Sequence, residues 1–330
     1  MEQCPAMIII DNLSHTYPGT RKMPPRTAIS DLTLEVKDGE FAILSGPNGS
    51  GKSTLFRILC GMTLPGKGKV AVGGFDLFSH PARVREIMGV VFQSPAVDKH
   101  LSVGENLKIH ADLYGIKGAD FARRRDEALG WTDLDGRQDQ KVDTLSGGLA
   151  RQVELAKVLM TDPKVLLLDE PTTGLDPMSR RNFLAALHKL QRERGMTVLM
   201  TSHVFSEADD VDRVAIMREG KLLAYDTPTA LKAMIGTEMV VVQSRDAEAL
   251  AARLRAEMGL AVRCIGDEVR LEETENGESL PLLERILDNY RADIASIAIK
   301  QPGLDDVFVH VTSKAVPDHA LALDLRKAAS

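Results

Sequence analysis

The sequence has little cysteine. Cys4, Cys60 and Cys264 are scattered through 330 residues with no C-x-x-C pair. That excludes a disulfide framework and a cysteine-rich zinc site, and it fits a reducing compartment. Long apolar runs are missing too. No stretch approaches the roughly 18 consecutive apolar residues that a spanning helix needs. Apolar stretches such as those at 165–168 and 239–242 have strand length. The opening MEQCPAMIII carries an acid at Glu2 and no basic region, so no signal peptide is expected. There is no basic excess: 41 Lys and Arg stand against 47 Asp and Glu, a net charge of −6. Nucleic acid is therefore not expected as a main partner, because duplex binding needs a basic face. Internal repeats and low-complexity tracts are also absent. The 44% of hydrophobic residues rules out disorder throughout.

A chain of 330 residues suits one large domain and one small one. Residues 236–330 hold 17 acidic and 11 basic side chains, and the first 235 hold 30 of each. This step in charge sets the expected boundary near 236. The expected division is 1–235, 236–314, and a tail at 315–330 that can be loose.

Residues 7–13 read as a strand, PGTRKMPPRT at 18–27 as a loop, and 32–36 as a half-buried strand. A turn at Lys37-Asp38-Gly39-Glu40 leads to a buried strand at 41–44, then a Gly-rich loop and a helix over 52–60. Buried strands at 88–92, 165–168 and 197–201 alternate with helices, which predicts an α/β domain with a largely parallel sheet. Residues 94–160 read as helices only, one opened by a capping box at Ser102 and Glu105. Another helix starts at Asp176-Pro177 and ends before Gly195. After 236 the order β-α-β-β-α-β, with a further helix at 304–311, predicts a small ferredoxin-like α+β domain. Its expected core is Val240, Val242, Leu250, Leu254, Leu283, Ile286, Leu287, Ile297 and Ile299.

Gly46-Pro47-Asn48-Gly49-Ser50-Gly51-Lys52-Ser53-Thr54 follows a buried strand and opens a helix. It fits the P-loop pattern in the required strand–loop–helix setting. The glycines let the backbone wrap a phosphate, and the helix N-terminus adds partial positive charge. Lys52 can reach the β- and γ-phosphates of ATP, and the Ser53 hydroxyl can ligate Mg²⁺, which prefers hard oxygens. The strand at 165–168 ends in Asp169 and Glu170. Two acids at the C-terminal end of a parallel strand lie where such sheets bind ligands. Asp169 is placed to hold the Mg²⁺ water shell, and Glu170 to take a proton from an attacking water.

Four further motifs decide which P-loop protein this is. LSGGL occupies 145–149, Gln93 ends a strand in VVFQSP, TGLD occupies 173–176, and TSH ends a strand at 201–203. In this order they resemble the nucleotide-binding subunit of ATP-binding-cassette (ABC) transporters, over about 8–235. The resemblance implies a P-loop cassette with a helical subdomain at about 94–160. It implies that Tyr17, in HTYPG, stacks on adenine, and that Gln93 ligates Mg²⁺ and senses a membrane partner. Ser146, Gly147 and Gly148 then contact the γ-phosphate held by an opposite subunit. Asp176 is then the acid whose loop crosses the dimer, and His203 the switch histidine on the γ-phosphate. The family most often has Gln where this chain has Leu149, which leaves any polar contact of that side chain in doubt.

A complete site would need the P-loop of one subunit and the signature of another, so a two-fold head-to-tail pair, expected as a homodimer, is the economical arrangement. A separate membrane-spanning permease chain would dock on the insert between Gln93 and Leu145, holding this chain peripherally on the cytoplasmic face of the cell membrane. The passages VFQSPAVDKHLSVGENL and IKQPGLDDVFVHVTSK resemble the daunorubicin-resistance type of exporter subunit. The alternatives are an importer ATPase, or a soluble ABC ATPase of DNA repair or translation. The latter usually fuses two cassettes or adds coiled coils or zinc modules, and this chain has neither.

Overall fold

The structure is a computed structural model that describes residues 6–19, 23–236, 238–272 and 279–313. The chain forms two compact units, Met1–Tyr225 and Asp226–Ser330. The first begins with β1 (Ala6–Tyr17), β2 (Arg26–Lys37) and β3 (Phe41–Ser45), which runs through the phosphate loop into α1 (Lys52–Leu59). Next come β4 (Lys67–Val72), β5 (Phe75–Asp76), α2 (Pro81–Ile87) and β6 (Met88–Val91). A helical insert holds α3 (Val103–Leu113), α4 (Gly118–Leu129) and α5 (Gly147–Leu159). The unit closes with β7 (Val165–Asp169), α6 (Pro177–Arg194), β8 (Thr197–Ser202), β9 (Arg213–Arg218) and β10 (Lys221–Asp226).

Six strands form one sheet in the order β10-β9-β3-β8-β7-β6. Strands β9, β3, β8, β7 and β6 run parallel, so their C-terminal ends share one edge. Both faces of this sheet are covered, which is why β3 is buried at every position and β7 at all but Asp169. A second sheet, β2-β1-β4-β5, is antiparallel. Leu55, Phe56, Ile58 and Leu59 of α1 share one core with Ile8, Ile10, Ile29 and Leu34 of this sheet and with Leu44, Leu167 and Leu199 of the other. The helix that opens at Lys52 is thus fixed by apolar contacts to both sheets.

The first strand is longer than the apolar alternation suggests. It reaches Tyr17, which pairs with Arg26, so the irregular loop shortens. Register shifts between Ile10 and Leu13 and between Leu13 and His15 break the period of two and hide the second half of the strand.

The second unit contains α7 (Pro228–Ala233), β11 (Met239–Ser244), α8 (Ala247–Met258), β12 (Val262–Ile265), β13 (Glu268–Glu272), α9 (Ser279–Tyr290), β14 (Ile294–Lys300) and α10 (Leu304–Ser313). Its sheet has the order β12-β13-β11-β14, with every neighbouring pair antiparallel. Val240, Val242, Leu250, Leu254 and Ile286 are buried in its core as expected, and Ile297 and Ile299 are partly buried. On α9 the buried side chains are Leu282, Ile286 and Tyr290, while Leu283 and Leu287 are only partly covered. Two adjacent stripes of α9 have the same spacing, and the burial of Tyr290 selects the first. The division falls ten residues before the step in charge, because α7 packs on α10. The tail at 315–330 lies outside the described residues. No described helix is long and apolar enough to cross a membrane.

Candidate active site

The phosphate loop is shaped by three left-handed glycines. Gly46, Gly49 and Gly51 have φ of 153°, 84° and 107°. A Cβ on Gly46 would lie 2.3 Å from the Met217 carbonyl oxygen, and one on Gly51 would lie 2.5 Å from that of Ala28. Only glycine lets the loop nest against these neighbours. Lys52 is 4% exposed and donates from Nζ to the carbonyls of Gly46 at 2.6 Å and Pro47 at 3.1 Å. Burial lowers its pKa, and the nearby carboxylates of Glu170 and Asp169 oppose the shift. A partly desolvated cation at a helix N-terminus is a strong attractor for phosphate. Within the loop the buried Ser50 hydroxyl has no hydrogen-bond partner among the described residues. Asn48, Gly49 and Ser53 are exposed, and Pro47 is half-buried. Tyr17 lies beside this helix, its hydroxyl 3.3 Å from Thr54 Oγ1, and its ring packs edge-on against His15.

The parallel strands bring the other motifs to the same edge. Asp169 pairs in register with Thr201, whose hydroxyl donates to Asp169 Oδ1 at 2.7 Å and accepts from the Glu170 backbone N–H at 2.9 Å. Burial raises the Asp169 pKa, with the Thr201 hydrogen bond acting against it. Glu170 stands in the left-handed region at φ 43°. Its Oε2 accepts from Gln93 Nε2 at 3.2 Å and lies 3.2 Å from His203 Nδ1. The Thr173 hydroxyl is a longer contact at 3.4 Å. Three motifs far apart in sequence therefore meet on one carboxylate oxygen. His203 and Gln93 are exposed, while the Glu170 side chain is 13% exposed.

The remaining predicted residues form a second group. Ser146 caps α5, its Oγ accepting from Leu149 N–H at 3.3 Å. Asp176 caps α6 through Met178 and Ser179, and its hydrogen bonds, the Ser179 hydroxyl first, hold its carboxyl below the usual range. Gly148 packs on α6 so closely that a Cβ would lie 2.5 Å from that of Ser179. Ser146, Gly147 and Asp176 are exposed.

Several residues at the site escaped the sequence reading. Thr201 ties both acids together. Glu207, 4% exposed, accepts from Thr172 at 2.7 Å and Ser202 at 2.6 Å, so it joins the loop after Glu170 to the strand before His203. The guanidinium of Arg26 approaches within 3.4 Å of the place a Cβ on Gly49 would take, which sets a cation against the phosphate loop. Arg151 is buried and holds the backbone at Gln93. Charged residues in an amphipathic pattern read as surface; Arg26, in the basic PPRT stretch, and Thr201, in the TSH motif, carried a sequence signal without their roles being evident.

Among the described residues no three His, Cys, Asp or Glu side chains cluster as a metal site. Mg²⁺ needs no such cluster, since one or two protein oxygens and the substrate phosphates suffice. The Asp169 carboxylate and the exposed Ser53 hydroxyl are oxygens of the right kind.

The family profile for ABC transporters matches residues 29–173. The doxorubicin resistance ATP-binding protein DrrA of Mycobacterium tuberculosis is 33% identical over 317 residues, 93% of each chain. The daunorubicin resistance ATP-binding protein DrrA3 of Streptomyces coeruleorubidus is 34% identical over 309 residues, 92% of this chain and 95% of its own. The Fe(3+) ions import ATP-binding protein FbpC of Photorhabdus laumondii is 36% identical over 236 residues, 71% of this chain and 67% of its own. Among solved structures, a dimeric post-hydrolysis state of the ATP-binding cassette MJ0796 with ADP and Pi superposes with a TM-score of 0.60 at 27% identity, covering 67% of this chain and 98% of that one. The cbiO1 subunit from Clostridium perfringens gives 0.64 at 27% identity, covering 77% and 97%.

Proposed function

Since this chain belongs to the ABC transporter family and is an ATPase, we propose that it is the energy-coupling subunit of an exporter, working as a head-to-tail dimer around two ATP molecules. The observation that carries the reading is the meeting of Gln93, Glu170 and His203 on one oxygen beside the phosphate loop, while Ser146 and Gly147 stay exposed in a separate group.

In this reading the loop N–H groups and Lys52 bind the phosphates, and Lys52 exchanges the carbonyls of Gly46 and Pro47 for phosphate oxygens. Tyr17 covers the adenine. Ser53, Asp169 and Gln93 would hold a Mg²⁺, which would neutralise phosphate charge when bound. Glu170 accepts the proton of the attacking water. Before that, its Oε2 must be freed from Gln93 and His203, which then turn to the nucleotide. Ser146, Gly147 and Gly148 of one subunit close the site of the other, and the loop at Asp176 links the two. Separation after hydrolysis drives a permease docked on the helical insert. The chain would sit on the cytoplasmic face of the membrane through that permease.

The export direction is favoured because the two relatives named for drug resistance match along 92–93% of the chain, so into the second unit, whereas the match to the importer subunit covers 71%. The test is reconstitution with a candidate membrane-spanning permease chain in everted vesicles. ATP-dependent uptake of an anthracycline or lipid cargo supports the reading. Uptake that requires a substrate-binding protein, or no membrane association at all, overturns it.

A further inference from the structure

The segment that leaves β6 carries Gln93, and the helical insert holds it along its length. Arg151 of α5, 2% exposed, donates from Nη1 to the Phe92 carbonyl and from Nη2 to the Gln93 carbonyl, each at 2.5 Å. Its Nη1 also meets Glu154 Oε2 at 2.7 Å. The other oxygen of Glu154 accepts from the Ala96 N–H at 3.2 Å, and Lys157 Nζ donates to the Ala96 carbonyl. On α3, the Asn106 amide pairs with the N–H and the carbonyl of Asp98 at 2.8 and 2.9 Å. Burying a guanidinium and a carboxylate costs several kcal/mol unless their hydrogen-bonding capacity is used. Here that capacity is spent on the backbone of the Gln93 segment.

The same helix is capped by Ser146. Arg151 lies five residues further along a rigid rod, about 7.5 Å at 1.5 Å per residue. A shift of α5 therefore carries both the backbone of Gln93 and the signature.

We propose that Arg151 is a positioning residue that makes the Gln93 segment and the signature helix one body. Release of Glu170 by Gln93 in one site and presentation of Ser146 to the opposite site then occur as one movement. This rests on the roles given to Gln93 and Ser146 in the preceding reading. Arg151→Lys keeps the charge and loses the planar fork that spans two carbonyls.

The experiment is a double-mutant cycle in the full chain with Gln93→Ala, reading kcat, KM, ATP affinity at monomeric concentration, and thermal midpoint. Arg151→Lys should lower kcat about tenfold, within the range of coupled neighbours, with ATP affinity unchanged. In the Gln93→Ala background it should cause no further loss. If Arg151→Lys multiplies the loss equally in both backgrounds, it acts through folding alone and the proposal fails, while the reading of Gln93 stands. If Gln93→Ala leaves turnover untouched, the Gln93 reading itself falls and the proposal with it. Should Arg151→Lys fold poorly, Glu154→Gln enters the same cycle, since it weakens the grip on Arg151 and on Ala96 and must show the same dependence on Gln93.

Discussion

A Cβ on Gly46 or Gly51 of the phosphate loop would meet backbone oxygens of the same chain at 2.3 and 2.5 Å, whereas a Cβ on Gly147 of the signature would meet nothing within 4 Å. The phosphate loop is finished by its own fold. Lys52 is buried, its partners are in place, and the acids across the edge are tied by Thr201. Nothing in this chain requires glycine at 147. The space beside Gly147 is open among the described residues, so under the proposed head-to-tail pairing a facing subunit could use it. Gly148 resembles the phosphate loop rather than Gly147, since a Cβ there would lie 2.4 Å from the Ser179 hydroxyl of the same chain. A motif read as one unit thus divides into a glycine packed against its own chain and a glycine facing open space.

The sharpest way to break this contrast is to disable each region separately. Glu170→Gln should lower turnover by about 10² to 10⁴, the usual contribution of a general base, and accumulate an ATP-bound dimer seen by light scattering. Parental turnover in that variant would remove Glu170 from its role. Ser146→Arg should abolish hydrolysis and dimerisation while ATP titrations of the dilute monomer stay unchanged; weakened monomer binding would place Ser146 in its own chain's pocket.

Lys52→Ala should act within one subunit. Losing a charged donor to phosphate costs about 1.5–3 kcal/mol, so calorimetry should show ATP affinity falling by about one to two orders of magnitude. Next in size are the two signature glycines. Gly148→Ala should destabilise the fold by about 1–3 kcal/mol through overpacking against Ser179, read as a lower urea midpoint. Gly147→Ala should change stability by less than about 0.5 kcal/mol and still slow hydrolysis. Equal stability losses would erase the distinction between them.

The smallest effect is expected from removing the second unit. Residues 1–225 contain the whole candidate site and should bind ATP within about twofold of the full chain, since interfaces between domains are modest. The cut belongs at 225, because a chain ending at 235 would keep α7 without α10, on which it packs. Soluble, folded protein with no affinity for ATP would sink this division of labour.

The phosphate loop and the paired acids were legible because their chemistry requires fixed residue types at fixed spacing. Gln93, His203 and the signature were legible only through the family pattern; no local rule links 93, 170 and 203, which the parallel sheet brings together. The strands β4, β9 and β10 escaped notice. In β4, KGKVAV opens exposed and charged, and only Val70 and Val72 are buried, in the core shared with β1 and α1. Arg151 and Glu154 escaped because buried ion pairs and exposed ones have the same sequence signature. Asp176 was legible twice, as a helix cap and as a motif residue, so Asp176→Asn, which preserves capping, is the cleaner probe of its second role.

Glu170 holds φ at 43° without being glycine. A left-handed L-residue costs about 1–2 kcal/mol. The twist turns the chain sharply after β7, and the N–H of the same residue is tied to Thr201. Glycine at 170 would relax that backbone, and asparagine would tolerate it. Selection for heat resistance alone should therefore favour variants at this position that fold better, still take up nucleotide, and do no work. A stabilised version of this chain is best sought with position 170 held fixed and turnover, rather than melting temperature, as the criterion.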